Sequence, residues 1–241
     1  MILSKTEKSP QSYARTGGVL YLIMIILGII VELFIKGKII VSDDAAATAA
    51  NLKSMESLWR MGIVFELLMA VIAIWLSLIL YYLTKFVSKN LALLALFFGL
   101  VATTVGAVNS LELLKVLFPL SGADYLQVFT PEQLNAFANI AIKSHDMGFG
   151  VSLLLFAPFF FVTGYLIIKS GYIPKTLGIL YLIPGLSYLT SSLALILAPA
   201  FADKYYFVMA SPTIIGELSL CLWLMVKGVN MEKWNEKTMA K

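Results

Sequence analysis

The stretch LALLALFFGLVATTVGAVNSLELLKVLF, residues 91–118, decides the fold. A helix rises about 1.5 Å per residue, so about 20 mostly apolar residues cross the roughly 30 Å hydrocarbon core of a bilayer. The stretch is longer than that, has no charge before Glu112, and contains no proline. Five further stretches follow the same pattern, at about 16–36, 60–84, 147–168, 173–198 and 205–227. The expected architecture is all-α: a polytopic membrane protein built as a bundle of six transmembrane helices, with 1–241 forming a single domain. Six spans leave no room for a separate soluble unit.

Composition agrees. Of 241 residues, 60% are hydrophobic and 13% charged, with a mean hydropathy of +0.88. A soluble domain carries about 25% Asp, Glu, Lys and Arg. Half that charge cannot cover a water-facing surface, which excludes an ordinary soluble enzyme, and disorder would need low hydrophobicity. The single cysteine, Cys221, lies inside the last apolar stretch, so intramolecular disulfides and cysteine-based zinc sites are excluded. A net charge of +4 invites a nucleic-acid reading. No nucleic-acid partner is expected, because the basic residues gather at the ends of apolar spans, where orientation explains them.

Orientation follows from Lys and Arg in short loops. One side holds Lys5, Lys8 and Arg15, the turns with Lys85, Lys89, Lys169 and Lys175, and the tail with Lys227, Lys233, Lys237 and Lys241. Only Glu7, Glu232 and Glu236 oppose them there. Both termini are therefore expected to be cytoplasmic. The basic amino terminus followed by an apolar run resembles the start of a signal peptide, but no small-x-small cleavage site follows. It reads as an uncleaved first span.

Short outer-side interfacial helices are expected at about 44–56 and 131–143. Ser42, Asp43 and Asp44 can cap the first. Thr130-Pro131-Glu132-Gln133 is a capping-box signature for the second. Leu134, Phe137, Ile140 and Ala141 share one face of that second helix, which should lie on the membrane surface or over the bundle mouth as a lid. Pro158, Pro184 and Pro212 fall inside spans, where each removes a backbone hydrogen bond and can bend its helix. Trp59, Tyr125, Tyr172, Tyr205 and Tyr206 fall at span ends, as interface belts do.

Several segments carry a family likeness. Ala14-Arg15-Thr16-Gly17-Gly18, Ser121-Gly122-Ala123-Asp124-Tyr125, Thr130-Pro131-Glu132-Gln133, Ser170-Gly171-Tyr172-Ile173-Pro174-Lys175 and Glu217-Leu218-Ser219-Leu220-Cys221-Leu222-Trp223-Leu224 resemble the bacterial integral membrane family known as domain of unknown function 4386. The likeness runs from about Ala14 to Asn230. It implies a six-span protein of the bacterial cytoplasmic membrane and brings no activity with it.

Charge inside a bilayer costs about 2.5–3.5 kcal/mol per group on insertion scales, so such groups face a cavity or a partner. Glu32, Glu66, Glu112 and Glu217 fall within apolar stretches, while Arg60, Lys115, His145 and Asp146 fall at outer ends. Interior charge thus gathers in the outer half. Asn109, Glu112 and Lys115, three apart, make one polar stripe on span 3. His145, the only histidine, titrates near neutral pH and suits a proton relay. The bland alternatives are a Glu112–Lys115 pair, a solvated His145, an ordinary Glu56–Arg60 helix pair and a Glu32 that snorkels to water. Glu217, near mid-membrane, needs a proton, a cation or a polar partner.

One histidine cannot build a histidine-rich zinc site, and no phosphate-binding glycine loop or Gly-x-Ser-x-Gly is present. No metal or cofactor is expected. The favoured reading is a protein that binds, and in one version transports, a small amphipathic, lipid or cationic ligand in an outward-opening acidic pocket. Its ligand-binding residues would be Glu66, Asn109, Glu112, His145 and Glu217, with membrane lipids as partners. One alternative is an intramembrane lipid-modifying enzyme with His145 as catalytic acid or base beside a glutamate. Another is a structural or accessory subunit.

Overall fold

The computed structural model describes residues 9–239. Lys5, Glu7, Lys8 and Lys241, which entered the orientation argument, lie outside the described residues, as does the side chain of Tyr206. The first helix, α1 (Pro10–Ile29), starts with proline at its first position and the Ser9 side chain accepting from the Ser12 N–H. Its apolar run continues as a π-helical segment, Ile30–Lys36, and a final turn, α2 (Gly37–Ile39). Asp44 caps α3 (Ala45–Ser54) by accepting from the Ala47 N–H. Then come α4 (Glu56–Thr84) and α5 (Lys89–Lys115), the latter capped by Ser88. The capping box of Thr130 and Gln133 opens α6 (Pro131–Ser170), and Gly171, at φ 82°, ends it in the left-handed conformation. The chain closes with α7 (Lys175–Leu197), α8 (Pro199–Val226) and α9 (Met231–Met239).

Six of these helices are long and apolar enough to cross a membrane. They form a closed ring in which α1 packs on α4, each of α4 to α7 packs on the next, and α8 returns to α1. An even number of crossings puts both described chain ends at the same end of the bundle. The ring closes tightly because position 18 is glycine: a Cβ there would overlap the backbone of Met225 on α8. The thiol of Cys221 donates to the Gly18 carbonyl beside it, at 3.3 Å. Tyr21, Leu80, Phe160, Tyr181 and Leu224 belong to a core toward the terminus-bearing end. A second core, with Ile35, Leu52, Trp59, Leu113 and Ile142, fills the opposite end. Val64, Phe97, Ile179 and Ile214 point outward as a lipid-facing surface would.

Two local expectations change. Residues 131–143 are the first turns of a single 40-residue helix that continues through span 4. Between Pro131 and Gly148 there is no glycine or proline to stop it. At about 60 Å this helix outreaches the hydrocarbon core, and its Ala138, Ala141 and Ile142 are buried in the second core, where α3 packs on α6. Trp59 and Tyr172, expected in interface belts, are buried instead. The indole of Trp59 donates to the Leu113 carbonyl at 2.9 Å and the Tyr172 hydroxyl to the Leu83 carbonyl. Burial pushes the Tyr172 phenol above its ordinary pKa, so it stays a donor. Pro158, Pro184 and Pro212 lie within α6, α7 and α8 as the sequence places them.

Candidate functional site

Four elements meet in the half of the bundle away from the chain ends. The π-helical segment brings Lys36, α4 brings Glu66, α5 brings Asn109 and Ser110, and α6 brings His145. The carboxylate of Glu66 is the centre. Its Oε1 lies 3.0 Å from the Lys36 ammonium. Its Oε2 accepts from the Ser110 hydroxyl at 3.2 Å and stands 3.2 Å from His145 Nε2. Lys36 in turn reaches Glu32 at 2.8 Å, one helical step back.

The surroundings make these contacts matter. His145 is 2% exposed, while the side chains of Lys36 and Glu66 are 14% and 13% exposed. Asn109 donates from its amide to the His145 main-chain carbonyl at 2.8 Å, fixing the backbone where the imidazole is borne. His145 Nδ1 is buried without a hydrogen bond, and Asp146 Oδ1, at 3.7 Å, is too far to supply one. Charge is uneven: Glu32, Glu66 and Asp146 supply three carboxylates against one ammonium when His145 is neutral. A cavity of about 10 Å³, the room of about one water, adjoins Lys36, Glu66 and Trp59.

Of the residues singled out from the sequence, Glu66, Asn109 and His145 are brought together. Glu112 is not. It pairs with Lys115 on its own helix, with the lysine half exposed. Glu56 likewise pairs with Arg60 at 2.7 Å. Glu217 also lies elsewhere. Along their helices, Glu66 stands roughly 27 Å from the terminus-bearing end of α4 and Glu217 roughly 14 Å from that of α8. Glu217 accepts from the Tyr188 hydroxyl, and the hydroxyls of Tyr21 and Tyr181 meet at 3.3 Å in the same core.

Lys36 and Ser110 were not singled out. Lys36 had a signal, since Glu32 precedes it by four residues in the favourable order for a helical ion pair. Ser110 had none, because a lone serine in an apolar helix usually bonds back to its own carbonyls, as Ser110 also does toward Gly106 at 3.4 Å. Among the described residues no group of three His, Cys, Asp or Glu side chains is placed to hold a metal ion.

Comparison with known proteins gives a family and a relative. A family model described as "Domain of unknown function (DUF4386)" matches residues 16–228. A relative described as "Uncharacterized protein", from Archaeoglobus fulgidus, is 28% identical over 167 residues, which is 69% of this chain and 83% of that protein. No solved structure matches the chain.

Proposed function

Because the chain belongs to the DUF4386 family, whose description assigns no activity, we propose a function from the geometry around Glu66. The protein binds a small cationic or amphipathic ligand in the outer half of the bundle, with Glu66 as the charge partner and His145, Ser110 and Asn109 shaping the site. The carrying observation is that the Glu66 carboxylate already holds a cation, the Lys36 ammonium, 3.0 Å away. Lys36 ends a seven-residue π-helical stretch. Such stretches are rare, short and frequent at functional sites. In this reading Lys36 is a placeholder and the cationic group of the ligand takes its position.

The same reading sets the protein in the bacterial cytoplasmic membrane with both termini inside. Eleven of the eighteen Lys and Arg belong to the terminus-bearing side, which supports that orientation. Binding is favoured over transport, since alternating access needs polar groups along the whole path. Among the described residues the inner half of the spans offers one carboxylate, Glu217, with its tyrosine network.

A series of alkyltrimethylammonium ions tests the proposal through thermal shift of the purified protein. Stabilisation should appear in the wild type, strengthen in Lys36→Met and vanish in Glu66→Gln. Retained stabilisation in Glu66→Gln would sink the reading. One observation favours a second reading, acid–base chemistry on a lipid: the buried His145 Nδ1 lacks a partner while Nε2 engages a carboxylate. A lipid-hydrolysis assay in which His145→Gln equals the wild type would remove it.

A further inference from the structure

The opposite end of the bundle holds a larger space. After α6, Gly171 turns the chain, and Tyr172 is pinned beneath by its bond to the Leu83 carbonyl. After α8, Gly228, at φ 68°, makes a second turn whose carbonyl accepts from the Trp223 indole at 3.0 Å. The two turns are tied together where the Asn230 N–H donates to the Tyr172 carbonyl at 2.9 Å. Gln11 of α1 clamps the second turn from the other side, donating to the Lys227 carbonyl at 2.8 Å and accepting from the Val229 N–H at 3.0 Å. Between these fixed turns lies a cavity of about 310 Å³. That is far more than the one-water space beside Glu66 and at the lower edge of ligand-sized pockets.

Its lining has two characters. Trp223, Pro174 and Ile173 form an apolar wall, while Lys227, Lys233 and Asn230 line the rest, and no acidic residue contributes. Among the described residues neither Lys227 nor Lys233 forms an ion pair, and both line the cavity. Two unpaired ammoniums over a rigid, partly apolar recess at a span end create a local demand for an anion. We propose that this cavity binds an anionic phosphate group, of a phospholipid headgroup or of a soluble phosphate ester, through Lys227 and Lys233. Basic recesses between helices on the inner side of a membrane take anionic headgroups in this way. The inference stands apart from the Glu66 site and needs no ligand there.

The test uses the full-length protein in mild detergent, with retained lipid counted by native mass spectrometry. Phosphatidylglycerol should be retained and phosphatidylcholine washed away. Lys227→Gln with Lys233→Gln should weaken retention roughly tenfold or more. Lys85→Gln with Lys89→Gln removes equal charge from the same end and should leave retention intact. Displacement by glycerol phosphate or inorganic phosphate would assign the site to a soluble phosphate, and failure to displace would assign it to lipid. Equal loss in both double variants, or loss in neither, would overturn the proposal.

Discussion

His145 and Glu66 stand 79 residues apart in the chain and 3.2 Å apart in space, imidazole Nε2 against carboxylate Oε2. The contact joins α6 to α4, two helices that are not neighbours in the ring order, across the Ser110 of the intervening α5. With Lys36 on the other oxygen, Glu66 ties the end of span 1 to spans 2, 3 and 4. A single carboxylate thereby ties together the half of the bundle away from the chain ends.

This arrangement separates Glu66 from Glu112. Removing one partner of a buried pair leaves the other uncompensated and costs about 3–5 kcal/mol. Glu66→Gln should fall at the low end of that range, because Lys36 keeps Glu32 at 2.8 Å. Glu112→Gln breaks a pair whose lysine is 54% exposed, and such pairs contribute about 0–1 kcal/mol. Thermal unfolding in detergent should therefore show a clear drop in Tm for the first variant and almost none for the second. Equal drops would mean that Glu66 does not hold the helices together.

Trp59 offers a second test at the same end of the molecule. Leu113 is two residues from the end of α5, where carbonyls lack intrahelical donors. The Trp59 indole fills that need at 2.9 Å. Trp59→Phe keeps most of the ring and removes the donor, leaving a buried acceptor unsatisfied at about 1–3 kcal/mol. Trp59→Phe should lower Tm, and amide exchange at the last turn of α5 should accelerate. An unchanged exchange rate there would show that the indole bond holds nothing.

How far the sequence foretold this structure depends on the range of each signal. Span positions came from apolar length, and the Thr130–Gln133 box and the Asp44 cap from local residue chemistry, so both were legible. The Glu56–Arg60 and Glu112–Lys115 pairs were legible for the same reason, being three or four residues apart. Whether Glu66 meets His145 depends on how α4, α5 and α6 rotate about their axes. Nearly uniform apolar faces leave that rotation unmarked. Packing hid Trp59 as well, since a span-end tryptophan reads the same whether it faces lipid or a neighbouring helix. The continuation of 131–143 into span 4 could have been anticipated from its lack of any helix breaker.

Closure of the ring makes Gly18 more demanding than the adjacent Gly17. A Cβ at position 18 meets Met225 backbone, which cannot move without shifting α8 against α1. At position 17 it meets the Ile79 Cγ2 methyl at 2.9 Å, a side-chain contact that can yield without moving backbone. Overpacking of this kind costs about 1–3 kcal/mol, with the larger values where backbone must shift. Gly18→Ala should thus reduce folded yield and Tm more than Gly17→Ala. The opposite order would place the tight contact elsewhere.

Glu217 should behave as a hydrogen-bonding group and not as half of an ion pair. Among the described residues it forms no salt bridge, and its bond comes from the Tyr188 hydroxyl. Glu217→Gln keeps an oxygen to accept that bond and should change Tm little. Tyr188→Phe removes the donor and leaves a polar group in the span without it, at about 1–3 kcal/mol. If Glu217→Gln proved the more damaging of the two, a charged carboxylate with an unrecognised cation would be the better account.

Orientation can be read directly, because the native Cys221 is buried and the background is low. Val128, 80% exposed, lies between spans 3 and 4, and Asn235 lies on exposed turns of α9. With the basic turns and tail held inside, an impermeant thiol reagent applied to intact cells should label Val128→Cys and spare Asn235→Cys until the membrane is opened. That pattern would put the Glu66 site on the outer side and the Lys227–Lys233 cavity against the anionic inner leaflet. The reverse pattern would exchange the two, so that Glu66 would face cytoplasmic ligands. The lysine excess would then lie on the side where orientation does not place it.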